Sequence, residues 1–196
     1  MNESAFAAQL VAWLRADAQR IAALQAAASL NLPDWCLAAG FERNLVWDRL
    51  HDHPVATPLA DIDLIYWNPD CLDPGTDAAL EQRLQRMLPL PWSVKNQARM
   101  HVRNGDAPYR SCADAMSYWV ERETAVGVRL QPDGELRLLA PFGLAPLQQL
   151  HITLNAKRPK PEVFAARIAT KRWLAIWPRL RVVGLDDVAQ AIVPKA

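Results

Sequence analysis

An α+β domain, a mixed β-sheet flanked by helices with further helices at the N- and C-terminal ends, is the fold class that the sequence predicts. Three observations predict it. Helical patterns and short β-rich runs alternate through the first half of the chain, a hairpin signal follows at Gln131-Pro132-Asp133-Gly134, and another helical pattern comes near the end. The chain has 196 residues, 51% hydrophobic and 22% charged, which is enough for one core of ordinary globular composition.

In residues 4–28, Phe6, Leu10, Trp13, Leu14, Ile21 and Leu24 recur at threes and fours among alanines, so this segment reads as helix. Asp17 is a poor interior residue and a good cap, and divides it in two. Asn31-Leu32-Pro33-Asp34 is a break. The apolar run Trp35 to Ala39 ends at Gly40, and Phe41 to Leu50 carries a helical pattern. Asp61 to Trp67 alternates at first and is rich in β-formers, which predicts a strand. Asp77 to Leu88 reads as helix, stopped by Pro89 and Pro91. Trp92 to Val102 alternates again and predicts a strand, with Ser93, Lys95, Gln97, Arg99 and His101 on one side. A short helix is expected near Cys112 to Trp119, strands at Ala125 to Leu130 and Leu136 to Ala140, and a last helix from Glu162 to Trp177 closed by Pro178.

Several classes are excluded or disfavoured at once. No apolar run approaches the ~18 residues of a membrane-spanning helix, so no membrane partner is expected. The start Met1-Asn2-Glu3-Ser4 has an acid where an export signal carries bases, and the three cysteines (Cys36, Cys71, Cys112) form no Cys-x-x-Cys pair. A disulfide framework is not expected, and a cytoplasmic location is. The formal net charge is only +1, yet it is unevenly spread. Asp48 to Glu81 holds eight acids against Arg49, and Lys157 to Arg181 holds eight bases against Glu162. The first segment can hold a cation and the second can face a polyanion.

The chemistry concentrates between Gly40 and Asp63. Asp61 and Asp63, at i and i+2 of a strand, project from one face ~7 Å apart. Two such carboxylates repel unless a proton or a cation intervenes, and Mg²⁺ completed by substrate phosphates is the ordinary solution. Upstream, a strand, Gly40 and a helix opening with Arg43 and Asn44 offer free N–H groups and side-chain donors to a phosphate. Lys95 and Arg99, if their strand adjoins the aspartates, add cations that clamp phosphates.

Together these features resemble the DNA polymerase β-like nucleotidyltransferase superfamily. Leu37-Ala38-Ala39-Gly40-Phe41 stands for its turn and Asp61-Ile62-Asp63-Leu64 for its metal strand. The chain is more closely similar to a bacterial group of nucleotidyltransferase-family proteins whose activity is assigned by superfamily membership. That likeness rests on the runs Ala38 to Asp48, Asp61 to Tyr66, Trp92 to His101, Arg103 to Arg110 and Ala140 to Leu144. The resemblance implies a polymerase β-like core over residues 34–183, with a helical segment at 1–33 packed on it and a tail at 184–196. It also implies transfer of an NMP from an NTP to an unidentified acceptor, be it a small molecule, RNA or protein. Asp61 and Asp63 would be the catalytic pair and hold Mg²⁺, in two sites if active; Gly40, Arg43, Asn44, Lys95 and Arg99 would bind the nucleotide. Two departures stand out. Phe41 occupies the place of a second small turn residue, and no acid on Trp92 to Val102 supplies the superfamily's third carboxylate, for which Asp106 and Glu123 are the substitutes considered. The alternative is a catalytically degenerate nucleotide- or RNA-binding protein.

Overall fold

The computed structural model describes residues 1–184; the expected tail lies, but for its first residue, outside them. Two N-terminal helices, α1 (Glu3–Arg15) and α2 (Ala18–Ala28), are divided where Asp17 caps α2 by accepting from the Arg20 amide at 3.0 Å. There follow β1 (Trp35–Ala38), α3 (Gly40–Leu50), β2 (Ile62–Tyr66), α4 (Pro74–Met87), β3 (Trp92–Asn96), α5 (Gln97–Asn104) and α6 (Cys112–Met116). A 3₁₀ turn at Arg122–Thr124 leads into the hairpin β4 (Gly127–Leu130) and β5 (Leu136–Leu139). The described chain ends with α7 (Ala145–Gln148), β6 (His151–Thr153), α8 (Pro161–Lys171), α9 (Trp173–Ile176) and β7 (Arg181–Val183).

The main sheet has the order β3-β2-β1-β4-β5; β2 and β3 are parallel and the other pairs antiparallel, which makes the sheet mixed as expected. Strand alternation divides its side chains between two layers. Leu37, Leu64, Val94 and Val128 enter the larger core, where they meet Phe6, Leu10, Leu14 and Leu24 of the N-terminal helices. Cys36, Ala38 and Ile65 face the other way and are covered by Cys112 and Met116 of α6. No helix among the described residues is long and apolar enough to cross a membrane.

Two expectations are corrected. The strand expected over Trp92 to Val102 stops at Asn96, whose side-chain oxygen accepts the Ala98 amide at 3.0 Å and so caps α5. A polar residue at every second position reads as an exposed strand, but Asn at position 96 starts a helix instead. The last helix is broken in two at Arg172, which adopts the left-handed conformation (φ 53°) between α8 and α9. Trp173 and Trp177 thereby reach back to α3 and pack edge-on against Trp47 at ring distances of 5.7 and 5.0 Å.

Candidate active site

β1 leads into α3 through Ala39, and this link shapes the site. Ala39 has φ 62° and ψ −117°, a backbone conformation that favours glycine, and its carbonyl accepts the Arg43 amide at 3.2 Å. An alanine also has no side chain to cap a helix, so the first N–H groups of α3 are left for an anion. The pair of small residues lining the cleft here is Ala39 and Gly40. Phe41, which the sequence reading set in that pair, is fully buried, and its carbonyl accepts from Arg20 Nε at 2.9 Å. The turn therefore presents two small residues, Ala39 and Gly40, to the cleft. Strain at Ala39 predicts that Ala39→Gly stabilises the fold by about 1 kcal/mol, to be checked by denaturant unfolding.

The cleft beside this turn has a volume of about 400 Å³. Asp61 and Asp63 line it, side by side at the start of β2. Burial raises the Asp63 carboxyl above the usual carboxylate range, the Asp61 charge raises it further, and a hydrogen bond from Ser93 and the charges of Arg43 and Lys171 pull the other way. The Asp61 charge thus disfavours ionisation of Asp63, a repulsion that a bound cation would relieve. Their donor set is two carboxylates, with no group of three or more acidic, histidine or cysteine side chains at a metal-binding spacing among the described residues. That set fits Mg²⁺, which keeps several waters and takes phosphate oxygens beside one or two carboxylates.

Arg43 projects into the same cleft but is itself buried. Its guanidinium lies between the rings of Trp47 and Trp173, 5.1 and 4.6 Å from their centroids, and donates to Thr124 at 2.9 Å and Asn44 at 3.1 Å. Burial lowers its pKa to about 10, so it stays charged at neutral pH. Asn44 does not line the cleft; it holds the Arg43 guanidinium. Lys95 lines the cleft from β3. Arg99 lies on α5 and pairs with Asp77, because the strand expected to carry it has already ended, and it does not line the cleft.

Neither proposed stand-in for a third carboxylate joins the pair. Asp106 bonds to Tyr109 and Arg158, and Glu123 is buried and accepts from the Thr153 amide and hydroxyl at 2.7 and 2.6 Å. The acid that does line the cleft is Glu121, which sequence reasoning passed over. It is 1% exposed and receives two bonds from Arg167, at 2.6 and 3.1 Å, and one from Thr124 at 3.0 Å. Arg158, Lys160, Arg167 and Lys171 also line the cleft, so the basic run of the sequence faces its acidic run across one opening. Charge distribution was the only sequence signal for these four residues.

A family model described as nucleotidyltransferase matches residues 25–182. Among solved structures, one described as a CCA-adding enzyme head domain, determined by NMR, is 31% identical, with a TM-score of 0.78 over 88% of this chain and 93% of that one. A tRNA-processing enzyme complex is 14% identical, with a TM-score of 0.52 over 83% of this chain and 43% of that one. A CCA-adding enzyme with CTP is 15% identical, with a TM-score of 0.51 over 83% and 39% respectively. These two likenesses concern the fold alone, and this chain spans less than half of either protein. No curated protein matches the sequence.

Proposed function

The chain belongs to the nucleotidyltransferase family, and from that premise we propose that it transfers an NMP from an NTP to an acceptor hydroxyl in a Mg²⁺-dependent reaction centred on Asp61 and Asp63. The observation that carries this reading is one cleft that joins the Asp61/Asp63 pair to the uncapped start of α3 and to several cationic side chains.

The triphosphate is oriented from three sides. The N–H groups at Gly40 and the start of α3 meet phosphate oxygens along the favourable end of the helix dipole. Arg43, fixed between two indoles and by Thr124, presents its charge at a set position and so loses little entropy on binding. Lys95 and Lys171, which line the same cleft, contribute further positive charge. Asp61 and Asp63 would hold Mg²⁺, which would supply positive charge to the phosphates and lower the pKa of an acceptor hydroxyl. The Glu121–Arg167 pair sets α8 against the 3₁₀ turn and so keeps Lys171 at the cleft. The acceptor's class is left open by these contacts.

A second reading, a nucleotide- or RNA-binding protein without catalysis, draws on the two-carboxylate donor set. Incubating the protein with each NTP and Mg²⁺, in the presence of cell extract, decides between the two. The enzyme releases pyrophosphate and labels an acceptor with the α-phosphate. NTP binding with no pyrophosphate above the rate of a heat-denatured control would leave only the binder.

A further inference from the structure

A second charged cavity lies away from the cleft. It has a volume of about 420 Å³, is lined by Asp34, Ala113, Arg129, Arg137 and the Leu138–Pro141 segment, and shares no residue with the cleft. Arg129 and Arg137 face each other directly across the β4–β5 ladder. Like charges placed so in a strand pair destabilise it. Neither arginine forms an ion pair among the described residues. The Arg129 Nε–H is buried and has no hydrogen-bond partner among the described residues, which costs stability.

The only acid lining the cavity is Asp34, whose Oδ2 already accepts the Cys112 amide at 2.7 Å. Two cations against one carboxylate leave a net charge of +1. Strand register fixes where this charge lies. Asp63, Ala38 and Gly127 stand side by side across β2, β1 and β4, and Arg129 is two residues beyond Gly127 on the same sheet face. Strand spacing puts it about 12 Å from Asp63 between Cα atoms.

We propose that Arg129 and Arg137 form a binding site for a singly charged phosphoryl group, distinct from the cleft. The two guanidinium groups that line the cavity donate to oxygens of one tetrahedral anion, and the opposed positive charges are neutralised. A phosphodiester matches the net charge of the cavity; inorganic phosphate carries the same oxygen geometry from a free source.

The Nε–H resonances of arginine in the ¹⁵N-labelled full chain test this directly. At matched ionic strength the protein is titrated with inorganic phosphate, with the dinucleotide UpU as a single diester, and with acetate. A saturable shift of the Arg129 Nε–H is expected with UpU or phosphate, and the tighter of the two identifies the source. Arg137→Gln, at an exposed position, should weaken it about tenfold, roughly 1.4 kcal/mol, and Arg129→Lys, read at the Arg137 Nε–H, should weaken binding although it keeps the charge. Asp63→Asn should leave the titration unchanged, so the outcome is separate from that of the cleft. No saturable shift with either phosphoryl probe, or an equal response to acetate, would overturn the proposal.

Discussion

Asp63→Asn is expected to lower pyrophosphate release by about 10³-fold, corresponding to ~4 kcal/mol of lost transition-state stabilisation, while making the metal-free protein more stable. The two effects share one cause. Burial and the neighbouring Asp61 raise the Asp63 carboxyl, so in the folded metal-free protein its ionised form is disfavoured. A raised folded value means that the native state holds the proton over a pH window in which the unfolded chain has released it. Stability therefore falls as pH rises through the window between the ordinary carboxylate value and the raised one. Burial raises Glu42 and Glu123 as well, and they add to the same slope. Replacing Asp63 by asparagine removes its share. Thermal melts across this range should show a shallower decline for the variant and a higher Tm above the window. Mg²⁺ with an NTP analogue should raise the Tm of the wild type and leave that of the variant nearly unchanged. A variant that keeps its activity, or melts lower than the wild type at neutral pH, would contradict this assignment.

Arg43→Met carries the second large effect, on the fold and the site together. The guanidinium packs on Trp47 and Trp173 and donates to Thr124 and Asn44, so its loss removes two buried hydrogen bonds and two cation–π contacts. A destabilisation of about 2–4 kcal/mol is expected, or ~5–15 °C in Tm for a domain of this size. Arg43→Lys separates the roles, because it keeps the charge and loses the fork. It should retain most of the stability and raise KM for the NTP more than it lowers kcat. Thermal melts and steady-state pyrophosphate release on the two variants make this comparison.

How much was legible in the sequence depended on the range of the interaction. Local patterns carried the elements: the Asp17 cap, the alternation in β2 and the Gln131–Gly134 turn fall where they were expected. Four of the candidate site residues that line the cleft, Gly40, Arg43, Asp61 and Asp63, were legible for the same reason, since they lie in short motifs. What failed was local ambiguity. Lys95, Gln97, Arg99 and His101 alternate as a strand does, yet Asn96 caps a helix there and turns Arg99 towards Asp77. What was missed was long-range. Glu121 reaches the cleft only because Arg167, 46 residues later, pairs with it, and Trp173 reaches Arg43 only because the chain breaks at Arg172. No window of sequence encodes such contacts visibly. The uneven charge distribution was their sole trace: Asp61 and Asp63 of the acidic run and Arg158, Lys160, Arg167 and Lys171 of the basic run line one cleft.

Equilibrium binding of a non-hydrolysable NTP, measured with and without Mg²⁺ on the wild type and on Asp61→Asn and Asp63→Asn, tests the central claim most directly. The account predicts that Mg²⁺ tightens binding to the wild type at least tenfold, about 1.4 kcal/mol, and that either substitution abolishes the dependence on the metal. Nucleotide affinity that is the same with and without Mg²⁺, or a metal effect that survives both substitutions, would contradict it.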